Sequence, residues 1–370
     1  VFQKSKNVKI RLAELTEIVP AQHKIVTSNE EIEYDILVLA LGTETNFFGN
    51  DQLVASSFPM KSTVEALQMR HKLISNFEEA LLEKDPDELQ RLMNLVVVGG
   101  GPTGVELSGA LAEMRRDILP KDYPEIDFTK MNIYLLEGSP KTLGAMSEKS
   151  SADSRAYLEK MGVTVHINTI VSNFDGRNVF LKDGGIIPSK TVIWAAGVKG
   201  AVPAGLDKAV IVRGNRLIVD RQNKLKDSDS IYVIGDLAYM ETSKYPHGHP
   251  QLASTAIQQG TYLAKNLVKI NRGDKNLIDF EYYDKGAMAT VGRNLAVVDL
   301  PRPRLHFRGF VAWFIWMSLH LMLILGVKNR FFVFANWVYN YFTHDQSLRL
   351  IFPEFSKTKK KSEALAGQVK

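Results

Sequence analysis

Gly99, Gly101 and Gly104 stand at the spacing G-x-G-x-x-G, directly after the apolar run Leu95-Val96-Val97-Val98. That combination is chemistry for holding a pyrophosphate. The first glycine permits a tight turn, the second lets the backbone approach the phosphates, and the third lets the next helix pack close to the strand. Free amide N–H groups and the positive end of the helix dipole then bind the anion. An ordinary strand–turn–helix is the plain alternative; the strand before and the helix after the glycines weigh against it. Glu137 ends the following apolar run, Asn132-Ile133-Tyr134-Leu135-Leu136. A carboxylate there accepts hydrogen bonds from ribose hydroxyls and repels a 2′-phosphate, which predicts NADH over NADPH. A solvated strand-end acid is the alternative. The insertion Lys121-Asp122-Tyr123-Pro124-Glu125 accounts for a spacing longer than the usual ~20 residues.

Other residues are open to more than one reading. Glu106 lies two residues past Gly104. Two residues turn roughly 200° around a helix, so its carboxylate is expected to point away from the phosphates. An acid stabilising a helix N-terminus would look the same. Asp236 follows Gly235 after the apolar run Ile231-Tyr232-Val233-Ile234, where it could serve a cofactor or cap the next helix. His247-Gly248-His249 reads as a loop ahead of Pro250 rather than as a metal-ligand pair.

These residues need elements to position them. Residues 7–27 alternate like strands, for example Lys9-Ile10-Arg11-Leu12 and Lys24-Ile25-Val26. Tyr34 to Thr43 reads as a buried strand closing on Gly42-Thr43. Residues 61–93 have helical composition, interrupted at Pro86. Gly104, Ser108 and Ala112 put small residues on one face of the fingerprint helix, which lets it lie close to a sheet. A helix from Ser151 to Met161 and a strand from Val163 to Ile167 continue the alternation, so a parallel sheet with right-handed crossovers is expected. The run Thr191 to Gly197 resembles Ile36 to Gly42. That similarity suggests two nucleotide-binding units, each with such a closing strand: an α/β fold with two Rossmann-like domains.

Composition narrows the functions. The 370 residues allow two domains or somewhat more. A net charge of +5, dispersed along the chain, argues against nucleic acid as a partner. The chain has no cysteine, which excludes disulfides, thiolate metal sites and cysteine redox chemistry within it. It opens on Val1 in what reads as the middle of a domain, so a preceding segment is expected.

Near the other end, Phe310 to Val327 is apolar apart from Ser318 and His320. Arg302, Arg304 and Arg308 precede it and Lys328 and Arg330 follow, a bias that keeps both ends on one side of a membrane. The next segment sets Asn329, Asn336, Asn340 and Thr343 against Phe331, Phe334, Trp337, Val338 and Tyr341, the pattern of an interfacial amphipathic helix. Lys357, Lys359, Lys360 and Lys361 add a basic tail suited to anionic lipid. A hydrophobic dimer interface is the competing reading, and the two are compatible.

Taken together, the fingerprint with its Thr103-Gly104-Val105-Glu106 continuation, Ile231 to Asp236, His249-Pro250-Gln251 through Gln258-Gln259-Gly260, Met288 to Asn294, and the aromatic stretch from Trp313 to Phe342 resemble the type II NADH dehydrogenases. These are single-subunit NADH:quinone oxidoreductases of the two-dinucleotide-domain flavoprotein superfamily. The resemblance implies FAD and NADH as cofactors, hydride transfer to the flavin, and two-electron reduction of a membrane quinone without proton pumping. It implies that Glu106 lies by the nicotinamide and flavin rings, and that Asp236 contacts the flavin's ribityl or pyrophosphate region. Gln258 and Gln259 match the pattern beside the flavin and the quinone tunnel, whereas Ser254 stands where a Gln is usual. Gly42, Thr43, Gly197 and Gly235 are the remaining candidate cofactor-binding positions, with no metal. The family's first G-x-G-x-x-G unit is expected upstream of Val1, and a chain lacking it would bind flavin weakly.

The implied organisation is a first FAD-domain segment at 1–60, connecting helices at 61–93, an NADH domain at 94–215, a second FAD-domain segment at 216–300, membrane-anchoring helices at 301–356 and a tail at 357–370. The implied location is peripheral, on the cytoplasmic face of a bacterial inner membrane, with the lipid surface and a quinone as partners and a homodimer as a further expectation. Two other readings stand beside this one. A sulfide:quinone oxidoreductase shares the architecture but needs the missing cysteines. A non-catalytic NADH-binding membrane protein does not.

Overall fold

A computed structural model describes residues 5–324 and 326–343. From the N-terminus come β1 (Leu15–Val19), β2 (Lys24–Thr27), β3 (Glu31–Glu33) and β4 (Leu37–Leu39). Helices α1 (Thr63–Leu82) and α2 (Pro86–Met93) lead into β5 (Asn94–Val98), α3 (Pro102–Asp117), β6 (Asn132–Leu136), α4 (Glu148–Lys160), β7 (Val163–His166) and β8 (Thr191–Trp194). Further on lie β9 (Ile231–Val233), α5 (Ala253–Asn271), β10 (Ala287–Gly292), β11 (Leu295–Pro301), β12 (Arg304–Arg308), α6 (Gly309–Leu323) and α7 (Val327–Thr343). The basic tail falls outside the described residues.

The chain divides into two compact units, each made of two stretches. The first comprises Val1–Glu44 with Val198–Lys285. It holds the antiparallel β1-β2-β3 meander and the parallel pair of β4 with β9, over a core that includes Ile18, Leu39, Leu217, Val233 and Phe280. The second comprises Thr45–Gly197 with Gly286–Lys370. Its centre is a five-stranded parallel sheet in the order Phe58–Pro59, β8, β5, β6, β7. The antiparallel β10-β11-β12 sheet belongs to the same unit.

Local chemistry explains the helix starts. Ser62 and Glu65 form a capping box at α1, with Ser62 N–H donating to Glu65 Oε2 at 2.6 Å. Asp85 caps α2, whose first residue, Pro86, has no N–H to waste. α4 begins at Glu148, three residues before the expected Ser151, because the Ser147 hydroxyl caps it by accepting from Ser150 N–H at 3.2 Å.

Several expectations need correction. Lys9 to Leu12 is not a strand: Ile10 and Leu12 are exposed, and alternation alone cannot make a strand without a neighbour to pair with. The apolar run from Tyr34 is a strand only over β4, with Leu39 buried but Ile36 and Val38 exposed. The return to the first unit falls at Gly197–Val198, earlier than 215, because β8 is the last strand of the five-stranded sheet and Ala201 N–H then donates to Gly42 O. Residues 286–300 lie with the second unit rather than with 216–285, because β10 packs along α3. On α7, Phe334, Trp337, Asn340, Tyr341 and Phe342 line a cavity, while Phe331 and Phe332 are exposed outside it.

Candidate functional site

The glycine fingerprint forms a cradle at the C-terminal edge of β5, a strand buried along its whole length. Gly99 adopts φ +111°, and a Cβ there would strike the Ala195 carbonyl. A Cβ on Gly104 would strike the carbonyl oxygen of Gly99, so the third glycine is what lets α3 come down onto the turn. Gly101 differs: no atom lies within 4 Å of where its Cβ would be. That open side is where a phosphate can approach. Gly101 offers no side-chain cap to α3, so the amides of the first turn are left for a ligand.

Glu137 sits just past β6 at the lip of this cradle. Its Oε2 accepts from Gly100 N–H at 2.5 Å and its Oε1 from Ser139 N–H at 2.6 Å. Two backbone amides thus fix the carboxylate, and each oxygen keeps lone-pair capacity for a ribose hydroxyl. Gly197 lies in the same unit at the end of β8 with φ +135°, its carbonyl accepting from Asn46 N–H at 3.1 Å.

Glu106 does point elsewhere. Its Oε1 accepts from Thr290 N–H of β10 at 3.2 Å. Burial pushes its carboxyl above the usual carboxylate range, opposed by the Thr290 hydrogen bonds and the nearby His320. It lines a cavity of about 900 Å³ whose wall includes Met69 of α1, Met114 of α3, Trp313 of α6 and Trp337 of α7. On either side of a close contact, α3 offers Glu106 and Glu113 to backbone amides: Arg293 N–H donates to Glu113 Oε1. Between them, a Cβ on Gly109 would strike the Val291 carbonyl. Neither Gly109 nor Glu113 stands out in the sequence; the only signal is their i, i+3, i+7 spacing with Glu106.

In the first unit, Gly235 (φ +73°) and Asp236 end the β9 edge. Asp236 sits inside the turn Gly235–Leu237 and does not cap α5, which starts at Ala253. The Thr43 hydroxyl lies 3.4 Å from Asp236 Oδ2, and Gln251 Nε2 donates to Asp236 O at 3.1 Å. Gln259 Oε1 accepts from Gly235 N–H at 2.7 Å. Gly42 has φ +69° with open space beside it. The structure therefore brings together Gly42, Thr43, Gly235, Asp236 and Gln259. Gln259 Nε2 and Thr255 Oγ1, one helical turn apart on α5, are buried polar atoms with no protein partner. Such orphans cost stability unless a bound group satisfies them, so the site fits a polar cofactor.

Gln258 is engaged differently: its Nε2 donates to Tyr283 O at 3.0 Å and its Oε1 accepts from Tyr283 N–H at 2.9 Å. Ser254 Oγ lies 3.0 Å from the Tyr282 hydroxyl. His249 is buried, with Nδ1 2.9 Å from Met240 O, and burial lowers its pKa. Sequence reasoning missed Arg216. Buried beside the Tyr239 ring, it donates to Ala238 O and, at 3.0 Å, to His249 O. Burial pulls its pKa down, opposed by the Asp236 charge.

Residues 1–260 match the pyridine nucleotide-disulphide oxidoreductase family model, and residues 284–344 match the NDH2 C-terminal domain. The type II NADH:quinone oxidoreductase NdhA of Mycobacterium tuberculosis is 33% identical over 353 residues, which cover 91% of this chain and 73% of that protein. The type II NADH:quinone oxidoreductase of Haemophilus influenzae is 30% identical, over 85% of this chain and 74% of its own length. Among solved structures, NDH2 from Plasmodium falciparum in complex with NADH superposes with a TM-score of 0.81 at 20% identity, over 90% of this chain and 83% of that one.

Proposed function

This chain belongs to the pyridine nucleotide-disulphide oxidoreductase family, and within it to the type II NADH:quinone oxidoreductases, and from that premise we propose which of its residues carry each part of the activity. The protein is an FAD-dependent NADH dehydrogenase that reduces a quinone. FAD, when bound, would supply the two-electron redox chemistry between NADH and the quinone. The protein's own work is binding, orientation and exclusion of water.

Gly99, Gly101 and Gly104 let the NADH pyrophosphate reach the first-turn amides of α3, and Gly197 shapes the neighbouring turn. Glu137 takes the ribose hydroxyls and selects NADH. Gly42, Thr43, Gly235 and Asp236 hold the flavin, with Gln259 Nε2 offering it a hydrogen bond. Gln258 fixes the Tyr283 backbone and, with Gln259, orders the α5 side of the quinone approach. The Glu106 carboxyl, raised by burial, stands at the cavity wall, held there by Thr290 N–H. The observation that carries the nucleotide assignment is Glu137 seated on Gly100 N–H beside an uncapped helix N-terminus. The orphaned donors on α5 favour a flavoenzyme over a protein that merely binds NADH.

The acceptor side faces lipid in this reading. No described helix is long and apolar enough to cross a membrane. Yet α6 and α7 expose Phe310, Met322, Leu323, Phe331 and Phe332, next to Arg304, Arg308, Lys328 and Arg330. Apolar side chains flanked by cations suit insertion into the headgroup region of a cytoplasmic leaflet. Paired substitution Leu323→Glu and Phe331→Glu removes two exposed anchors that do not line the cavity. Flotation with anionic phospholipid vesicles should then show the bound fraction lowered at least tenfold, since each anchor is worth about 1.5–3 kcal/mol. A doubly substituted protein that floats like the parent would remove the membrane reading.

A further inference from the structure

Arg293, in the turn between β10 and β11, joins more elements than any motif around it suggests. Its backbone N–H donates to Glu113 on α3. Its guanidinium donates to the carbonyl oxygen of Tyr341 and lies over that residue's ring, 3.9 Å from the centroid. Tyr341 lies on α7, two residues before its last described residue, Thr343. The Tyr341 hydroxyl donates back to Asn294 Oδ1 at 3.3 Å, and its ring packs 5.7 Å from Trp313 of α6. One arginine therefore fastens α7 to the fingerprint helix and the C-terminal sheet.

The fastening has a location. Arg293, Glu113, Tyr341 and Trp313 all line the cavity of about 900 Å³, and α7 forms one of its walls. The volume falls within the usual range of ligand pockets, and the aromatic lining suits an apolar chain rather than a charged group. No α7 residue is fully buried, so contacts such as this one, rather than core packing, must hold the helix in place.

We propose that Arg293 is a positioning residue for the acceptor half of the reaction. By gripping Tyr341 it keeps that helix closed over the cavity, which takes the apolar chain of the quinone. This rests on the NADH:quinone reading above. Loss of the grip leaves the wall loose, so an acceptor is penalised in proportion to the chain it must bury.

The test uses purified, flavin-loaded protein and two quinones with the same ring, one carrying a long alkyl chain and one carrying none. In Arg293→Gln, the ratio of KM for the long-chain to the chainless quinone should rise roughly tenfold, the scale of a partly desolvated cation–π contact with its hydrogen bond. Tyr341→Leu should reproduce the rise, and the double variant should be no worse than either single one. Arg293→Lys, which keeps the charge but not the planar face, should fall between. If Arg293→Gln does not fold, Tyr341→Leu decides. An unchanged ratio, or equal loss with both quinones, overturns the proposal. Anaerobic reduction of the flavin by NADH reports separately on the parent reading, so the two failures can be told apart.

Discussion

Replacing Glu137 with arginine should turn the nucleotide preference from NADH towards NADPH, raising the ratio of kcat/KM values by about a hundredfold. The carboxylate is held by Gly100 and Ser139 amides at the lip of the cradle, where the adenosine ribose must pass if the pyrophosphate lies on α3. An anion there repels a 2′-phosphate and accepts from the diol; a guanidinium does neither and pairs with the phosphate instead. Glu137→Gln keeps the shape and one acceptor but removes the charge, so it should move the ratio about tenfold. Initial rates with both nucleotides at low ionic strength measure this directly. A ratio unmoved in both variants would return Glu137 to the role of a strand-end acid.

Gly109→Ala should lower the apparent Tm by roughly 10 °C. In an exposed helix the same change is worth about 1 kcal/mol of stabilisation. Here the added Cβ falls on the Val291 carbonyl, a backbone atom that cannot rotate aside. α3 must withdraw from β10, which costs about 1–3 kcal/mol in overpacking. The withdrawal also stretches the bonds from Thr290 to Glu106 and from Arg293 to Glu113 on either side, each worth about 1–3 kcal/mol when the acceptor is charged. Gly101→Ala is the contrast: its Cβ meets open space, so differential scanning fluorimetry should find its Tm within about 2 °C of the parent. Equal Tm for Gly109→Ala and the parent would show that α3 and β10 are not in that close register.

The contrast between these glycines shows what the sequence made legible. Gly99, Gly101 and Gly104 declare themselves because their roles are local: a turn, an approach and a helix start within a few residues. Glu137 follows from the same unit, since the strand after the fingerprint helix must end near the cradle. Gly109 acts against Val291, far along the chain, and nothing in its neighbourhood marks it. The small residues Gly104, Ser108 and Ala112 were legible as a close-packing face, and Gly104, Ser108 and Ala112 are indeed buried. Gly109, buried as well, serves β10, which no spacing rule connects to α3.

Burial was harder to read than element type. Lys9 to Leu12 alternates correctly, but a strand exists only where another strand pairs with it. Ile36 and Val38 look like core by composition yet are exposed; β4 belongs to a two-stranded sheet whose other strand, β9, is distant in sequence. The aromatic stretch reads as a lipid-facing helix; that some of its aromatics instead wall a cavity depends on how α6, α7, α1 and α3 pack. Asp236 falls in the turn just past β9, and its hydrogen bonding with Thr43 and Gln251 rests on contacts that no local pattern announces. Arg216 gave no signal: a lone buried guanidinium satisfied by carbonyls follows no motif.

The claim that matters most is that this chain passes electrons from NADH to a quinone through a flavin. An anaerobic titration of the flavin-loaded protein, followed by absorbance, tests it most directly. One equivalent of NADH should bleach the oxidised flavin band, and one equivalent of quinone should restore it with NADH fully consumed. A flavin that stays oxidised in excess NADH, or one that stays reduced in excess quinone, would contradict the account.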